Sequence, residues 1–200
     1  MLRVSRRRVQ ALVERGQLRA HLVGGRWLVD AQDVRQRGRE TEVRGRPITQ
    51  ATAWKLIGEI SALPSKAAAR DELRRRLRPR AEHRHVAVHT SVLSKLRRSD
   101  VVRPGGRDAA DQAGVPVGLL EDELDLYLRA ADERRLLDDH VVRLDAARPN
   151  LHLHVLEGGT WPVSLEGPVG LIVAWLDLAD RGDRAERLVR EHLARDAADA

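Results

Sequence analysis

Four histidines fall in two His-x-His steps, His83-Arg84-His85 and His152-Leu153-His154. Imidazole ligates transition metals and moves protons near neutral pH, so these steps are the first place to look for chemistry. His89 follows the first step closely. If residues 81–88 form a strand, His83 and His85 share one of its faces. In Asn150-Leu151-His152-Leu153-His154-Val155-Leu156, alternation puts Leu151, Leu153 and Val155 on one face and the histidines on the other. No carboxylate stands at metal-site spacing from either step. The spacing therefore supports surface or core histidines, and no metal is expected. The carboxylates lead no further. Asp138-Asp139-His140, and Asp177 with Asp180, lack a matching base or metal pattern. Glu121-Asp122-Glu123 reads as a solvated acidic run. There is no Gly-x-Ser-x-Gly elbow and no His-Glu-x-x-His. Gly105-Gly106 has no P-loop lysine after it and reads as a turn, not a nucleotide cradle. With no cysteine, disulfides, thiolate zinc sites and cysteine nucleophiles are excluded. The expectation is a protein that is not an enzyme and carries no cofactor.

The basic residues say more. Of 36 Lys and Arg, 33 are arginine. Residues 1–100 hold 24 of the 36 basic residues against 10 Asp and Glu, while residues 101–200 hold 12 against 20. A basic half beside an acidic half suggests two different partners, the first half meeting a polyanion that the second would repel. Aromatics are 2% of the chain, so stacking platforms for single-stranded nucleic acid are not expected.

The first forty residues carry the strongest pattern. Ser5 is a good N-cap for a helix over residues 6–15. Val9, Leu12 and Val13 recur at i, i+3, i+4 and make its apolar face. Arg7, Gln10, Ala11 and Glu14 lie opposite, with Arg6 in the first turn. Gly16 ends the helix. A short strand, Leu18-Arg19-Ala20-His21-Leu22-Val23, turns at Gly24-Gly25 into a second, Arg26-Trp27-Leu28-Val29. Asp30 then caps a last short helix, residues 31–37, with Val34 facing inward.

Helix, glycine, two-stranded wing and capped helix, in that order over residues 2–37, closely resemble the excisionase/MerR-type winged helix-turn-helix DNA-binding domain. The resemblance implies that the helix starting at Ser5 is the recognition helix. Arg6, Arg7 and Gln10 would then face the major groove, arginine forking onto guanine and glutamine reading adenine. Arg3 and Arg26 would hold phosphates and set the register, with the wing at 18–29 on the backbone or minor groove. One departure stands out. The family's first helix should precede Ser5, where only Met1 to Val4 stand. Either the true start lies upstream, or the start has been trimmed, or the motif is degenerate.

The rest of the chain reads as follows. Residues 38–48 form a linker. Residues 49–100 form a basic helical region. Thr49 caps a helix to about Leu63, Pro64 stops it, and a second helix runs from about Ser65 to Leu77. Arg74, Arg75 and Arg76 with Arg78 and Arg80 make a basic cluster; Arg74, Arg75 and Arg78 are candidates for additional phosphate contacts. Ser91 caps a third helix to Arg98. Residues 101–200 form an acidic α+β domain with expected strands at 100–102, 124–128, 141–144 and 151–156. Helices are expected at 108–113 and 130–139, a buried one at 169–178, and an amphipathic one at 184–195 before a frayed tail. The fold class is α+β. No apolar run reaches the roughly 18 residues of a membrane span, and the basic N-terminus lacks the apolar stretch of a secretory signal. A cytoplasmic location with no membrane partner is expected.

A small winged helix-turn-helix followed by an α+β module also resembles bacterial antitoxins of the AbiEi-like type. Gly45-Arg46-Pro47-Ile48-Thr49 with Ala53-Trp54 is similar to a segment that follows the DNA-binding domain in some such regulators. That resemblance implies a repressor of its own promoter, acting on double-stranded DNA at an inverted repeat, which a homodimer could fit. It also implies a toxin or other protein partner for the acidic half. The alternative is a protein-interaction module that uses a degenerate helix-turn-helix for assembly.

Overall fold

The computed structural model describes Arg7, Val9, Gln10, Val13 and residues 20–23, 26–29, 48–139, 142–143, 148–158 and 169–199. The chain divides into two units, Met1–Pro47 and Ile48–Ala200. In the first, Arg7, Val9, Gln10 and Val13 are helical. Strands β1 (Ala20–Val23) and β2 (Arg26–Val29) pair antiparallel, with Val23 opposite Arg26. This register is what a two-residue connection at Gly24-Gly25 dictates. The expected helix at 31–37 and the linker through Pro47 lie outside the described residues.

In the second unit the chain runs α1 (Gln50–Gly58), α2 (Ala67–Leu77), a 3-10 turn (Arg78–Arg80), β3 (Glu82–Val86) and α3 (Thr90–Leu96). It continues through β4 (Arg103–Pro104), α4 (Gly106–Gln112), β5 (Leu124–Arg129) and α5 (Ala130–Asp138). It closes with β6 (Leu151–Leu156), α6 (Leu171–Arg181) and α7 (Glu186–Asp199). The architecture is α+β, built on one four-stranded sheet of order β3-β6-β5-β4. β5 and β6 are parallel and joined through α5, while both edge strands run antiparallel to their neighbours. β3 comes from the basic half of the chain and β6 from the acidic half. The charge boundary therefore runs through one sheet and does not separate a middle region from a C-terminal domain.

Every residue of β6 is buried, which requires cover on both faces. Leu124, Leu126 and Leu128 of β5, with Leu151, Leu153 and Val155 of β6, face one core containing Leu93 and Leu96 of α3 and Leu136 of α5. Each such burial is worth about 1.5–3 kcal/mol. Tyr127 and Leu156 face the other core, with Trp54 of α1, Leu77 of α2, Ala109 and Ala110 of α4, and Trp175, Leu176 and Leu178 of α6. Thr49 caps α1 as expected, its hydroxyl accepting from Thr52 N at 3.2 Å. α6 ends at Gly182, whose φ of 71° is left-handed. Asp183 N then returns to Leu178 O at 2.9 Å and Gly182 N to Ala179 O at 3.2 Å, satisfying carbonyls the helix would leave open.

Several boundaries differ from the sequence reading. α1 stops at Gly58, well before Pro64. The cap of α3 is His89, which accepts from Ser91 N at 3.3 Å; Ser91 lies inside the helix. The short strand expected at 100–102 is displaced to Arg103–Pro104. At 141–144 the described residues show only an isolated bridge, Arg143 with Ala87. The C-terminal tail is helical through Asp199, so α7 absorbs the segment expected to fray. Among the described residues no helix is long and apolar enough to cross a membrane.

Candidate functional site

Two places hold candidate functional side chains, one in each unit. In the first unit Arg7 and Gln10 are helical and exposed, and Val9 and Val13 are half-buried. This is the amphipathic division that the spacing predicts. Arg26 opens β2. Trp27 and Leu28 beside it are 48% and 57% exposed. Arg3, Ser5 and Arg6 lie outside the described residues.

The basic cluster of the second unit is not one surface. Arg80 is fully buried. Arg74 donates to Ala179 O of α6 at 2.6 Å and lies 3.7 Å from Asp180, so it ties α2 to α6. Arg75 pairs with Glu72 one turn back. Arg78 is half-buried, and its carbonyl lies 3.2 Å from His83 Nε2. These engagements compete with the phosphate contacts expected of Arg74 and Arg75.

The polar face of the sheet forms the second place. Antiparallel pairing sets His83 opposite His154 and His85 opposite His152. Parallel pairing sets Asp125 beside His152 and Tyr127 beside His154. Two relays result. His83 Nδ1 meets His154 Nδ1 at 3.0 Å, and His154 Nε2 meets Asp125 Oδ1 at 3.3 Å. His85 Nδ1 meets His152 Nδ1 at 2.8 Å, and His152 Nε2 meets Glu123 Oε1 at 3.0 Å. The Tyr127 ring stacks on His154 with centroids 4.5 Å apart. Glu123, read from sequence as solvated, is therefore a relay terminus.

Below the relays sits a buried ionic core. Asp177 Oδ1 accepts from Tyr127 Oη at 2.6 Å and from Arg80 Nη2 at 2.8 Å. Its Oδ2 accepts from Gly106 N at 3.1 Å. Arg80 Nη2 also reaches Asp180 at 3.0 Å, and Arg80 O accepts from Trp54 Nε1 at 2.8 Å. Arg181 bridges Glu123 and Asp125, the latter at 2.9 Å. Arg107 grips Asp183 with two donors, at 2.6 and 2.8 Å. The Gly105-Gly106 turn makes this approach possible. A Cβ on Gly105 would lie 2.8 Å from Asp177 Oδ2, and one on Gly106 would lie 2.2 Å from Asp125 Oδ2.

The electrostatics follow from burial. Desolvation works against the Arg80 charge, but Tyr127, Asp180 and Asp177 outweigh it and hold the guanidinium ionised. Burial pushes the Tyr127 hydroxyl and the Asp125 carboxyl upward. His83 is driven well below the ordinary imidazole value by burial, then by His154 and Arg80. His152 is lowered by burial, against the pull of Asp125 and Asp177. Burial lowers Arg181 to about 10. Among the described residues no three acidic or histidine side chains converge as a metal site would require.

No family model, curated protein or solved structure matches the chain. The sequence reading did not join the relays, the ionic core and the glycine turn. The signal it could have used is two His-x-His steps of equal spacing, which pair in register once their strands are neighbours.

Proposed function

We propose that this chain is a DNA-binding transcriptional regulator of an antitoxin-like kind. It reads DNA through the helix at 6–15 and the wing at 18–29, and it uses the unit from Ile48 onward for a protein partner or for regulation. One observation carries the reading: a helical segment with Arg7 and Gln10 exposed precedes an antiparallel hairpin of four-residue strands, the second of which opens on Arg26. The basic excess of residues 1–100 supplies the attraction to a polyanion.

The test is a fluorescence-anisotropy titration against the DNA upstream of the protein's own gene, at two salt concentrations with competitor DNA. Specific binding that Arg6→Ala/Arg7→Ala abolishes supports a sequence reader. Binding that is equal for any sequence and vanishes at about 200 mM salt overturns it, leaving a basic surface only.

A second reading has its own support. Trp27 and Leu28 expose apolar surface on the hairpin, which suits a protein contact as well as a groove. A partner complex that is insensitive to salt and independent of DNA would favour this assembly role.

A further inference from the structure

The two histidine pairs impose a limit on protons. A hydrogen bond between two Nδ1 atoms needs one proton and one bare nitrogen. A pair bonded in this way can therefore carry at most one positive charge, whatever surrounds it. His83–His154 and His85–His152 are both of this kind, and both link β3 to β6. β3 is an edge strand. On its other side the described residues show only the bridge from Ala87 to Arg143, beyond its end. We infer that the paired histidines act as an acid-released latch, holding β3 on the sheet near neutral pH and letting it go as the pH falls.

The surroundings set the balance. His83 faces His154, Arg80 and Arg78. His85 faces His152, His154, Arg78 and Arg181. His152 faces Glu123, Asp125 and Asp177, and His154 faces Asp125 and Asp177 beneath the Tyr127 ring. The carboxylates lie on the β6 side and favour one charge in each pair. Arg78 and Arg80 lie on the β3 side and, with Arg181 among the carboxylates, oppose a second. Once released, all four imidazoles can charge freely below about pH 6.5. Clasped, they hold at most two charges. Each excluded proton shifts the equilibrium about tenfold per pH unit, so two pairs give up to about a hundredfold per pH unit. The change is confined to β3, because a charged His152 or His154 can still donate to Glu123 or Asp125, and β5 and β6 are also joined by apolar contacts and parallel pairing.

Amide hydrogen exchange on the full chain at pH 7 and pH 5, corrected for the intrinsic rate, tests the latch. Protection at Arg84 and Val86 should fall at least tenfold, while Leu126 and Leu128 of β5 change little. His85→Gln keeps a side chain able to bond His152 but removes one excluded proton. It should flatten the pH dependence of β3 by about tenfold per pH unit. Unchanged β3 protection between the two pH values overturns the inference, as does a wild-type slope in His85→Gln. If that variant does not fold, imidazole nitrogen shifts of the wild-type chain decide. One neutral ring in each pair while β3 is protected supports the latch, and two charged rings in one pair with β3 still protected overturns it.

Discussion

Arg80 and Asp177 meet at 2.8 Å with neither side chain exposed, although 97 residues separate them in the chain. The pair fixes the 3-10 turn before β3 against the middle of α6. Removing one member strands the other charge in the interior, which costs about 3–5 kcal/mol. Arg80→Ala should therefore lower unfolding stability by that amount in urea titrations. Tyr127→Phe removes only the shared hydroxyl and should cost about 1–2 kcal/mol. An Arg80→Ala loss below about 1 kcal/mol would show that water already reaches the pair.

Gly106 has a φ of 50°, and its amide donates to Asp177. Gly106→Ala meets two penalties. The left-handed backbone costs about 1 kcal/mol with a side chain, and the new Cβ collides with Asp125 Oδ2. The variant should lose more stability than Gly158→Ala, where a Cβ has open space. Equal melting temperatures for the two variants would contradict this account.

Acid should weaken the fold before it protonates ordinary carboxylates. His83 and His152 are held below their unfolded values, first of all by burial. Their stabilisation is complete above about pH 6.5 and is lost as the pH falls toward their folded values. Asp125 and Asp108 are raised by burial and act in the opposite sense, present at low pH and lost as the pH rises through their folded values. The His83–His154 and His85–His152 hydrogen bonds also exclude a second charge from each pair, which tips the balance toward a loss in acid. Urea midpoints should thus be lower at pH 5 than at pH 7. A higher midpoint at pH 5 would mean that the carboxylates dominate.

On DNA, base-reading and phosphate-holding arginines should differ. Arg7→Ala should cost about 1–3 kcal/mol on the preferred sequence and much less on random DNA. Arg26→Ala should weaken both alike and reduce the salt slope by about one. Identical effects of the two substitutions on both DNAs would remove the assignment of Arg7 to base reading.

The apolar half of the second unit was legible in the sequence. Leu124-Asp-Leu-Tyr-Leu128 and residues 151–155 alternate with period two, and both are strands with Leu124, Leu126, Leu128, Leu151 and Leu153 in one core. The polar half was not. Alternation only sets the intervening Asp125, Tyr127, His152 and His154 on the opposite face, and it does not reveal the second layer of helices that buries all four. Their partners come from far along the chain and follow no local period. Arg80 was grouped with surface arginines because nothing near it in sequence reveals Asp177. A hydroxyl is the commoner cap, so the sequence favours Ser91 for α3, while the backbone places His89 there.

The sheet also dictates the order in which a nascent chain can finish. Residues 80–86 leave the ribosome long before their partners at 151–156 and 177 exist. At about 5–20 residues per second, Arg80 waits roughly 5–20 seconds for Asp177. Throughout that interval its guanidinium stays in water and β3 has no neighbour to pair with. The second unit thus closes from its last segments backward, and a ribosome pause anywhere between β3 and α6 lengthens the time its first strand remains open to other chains.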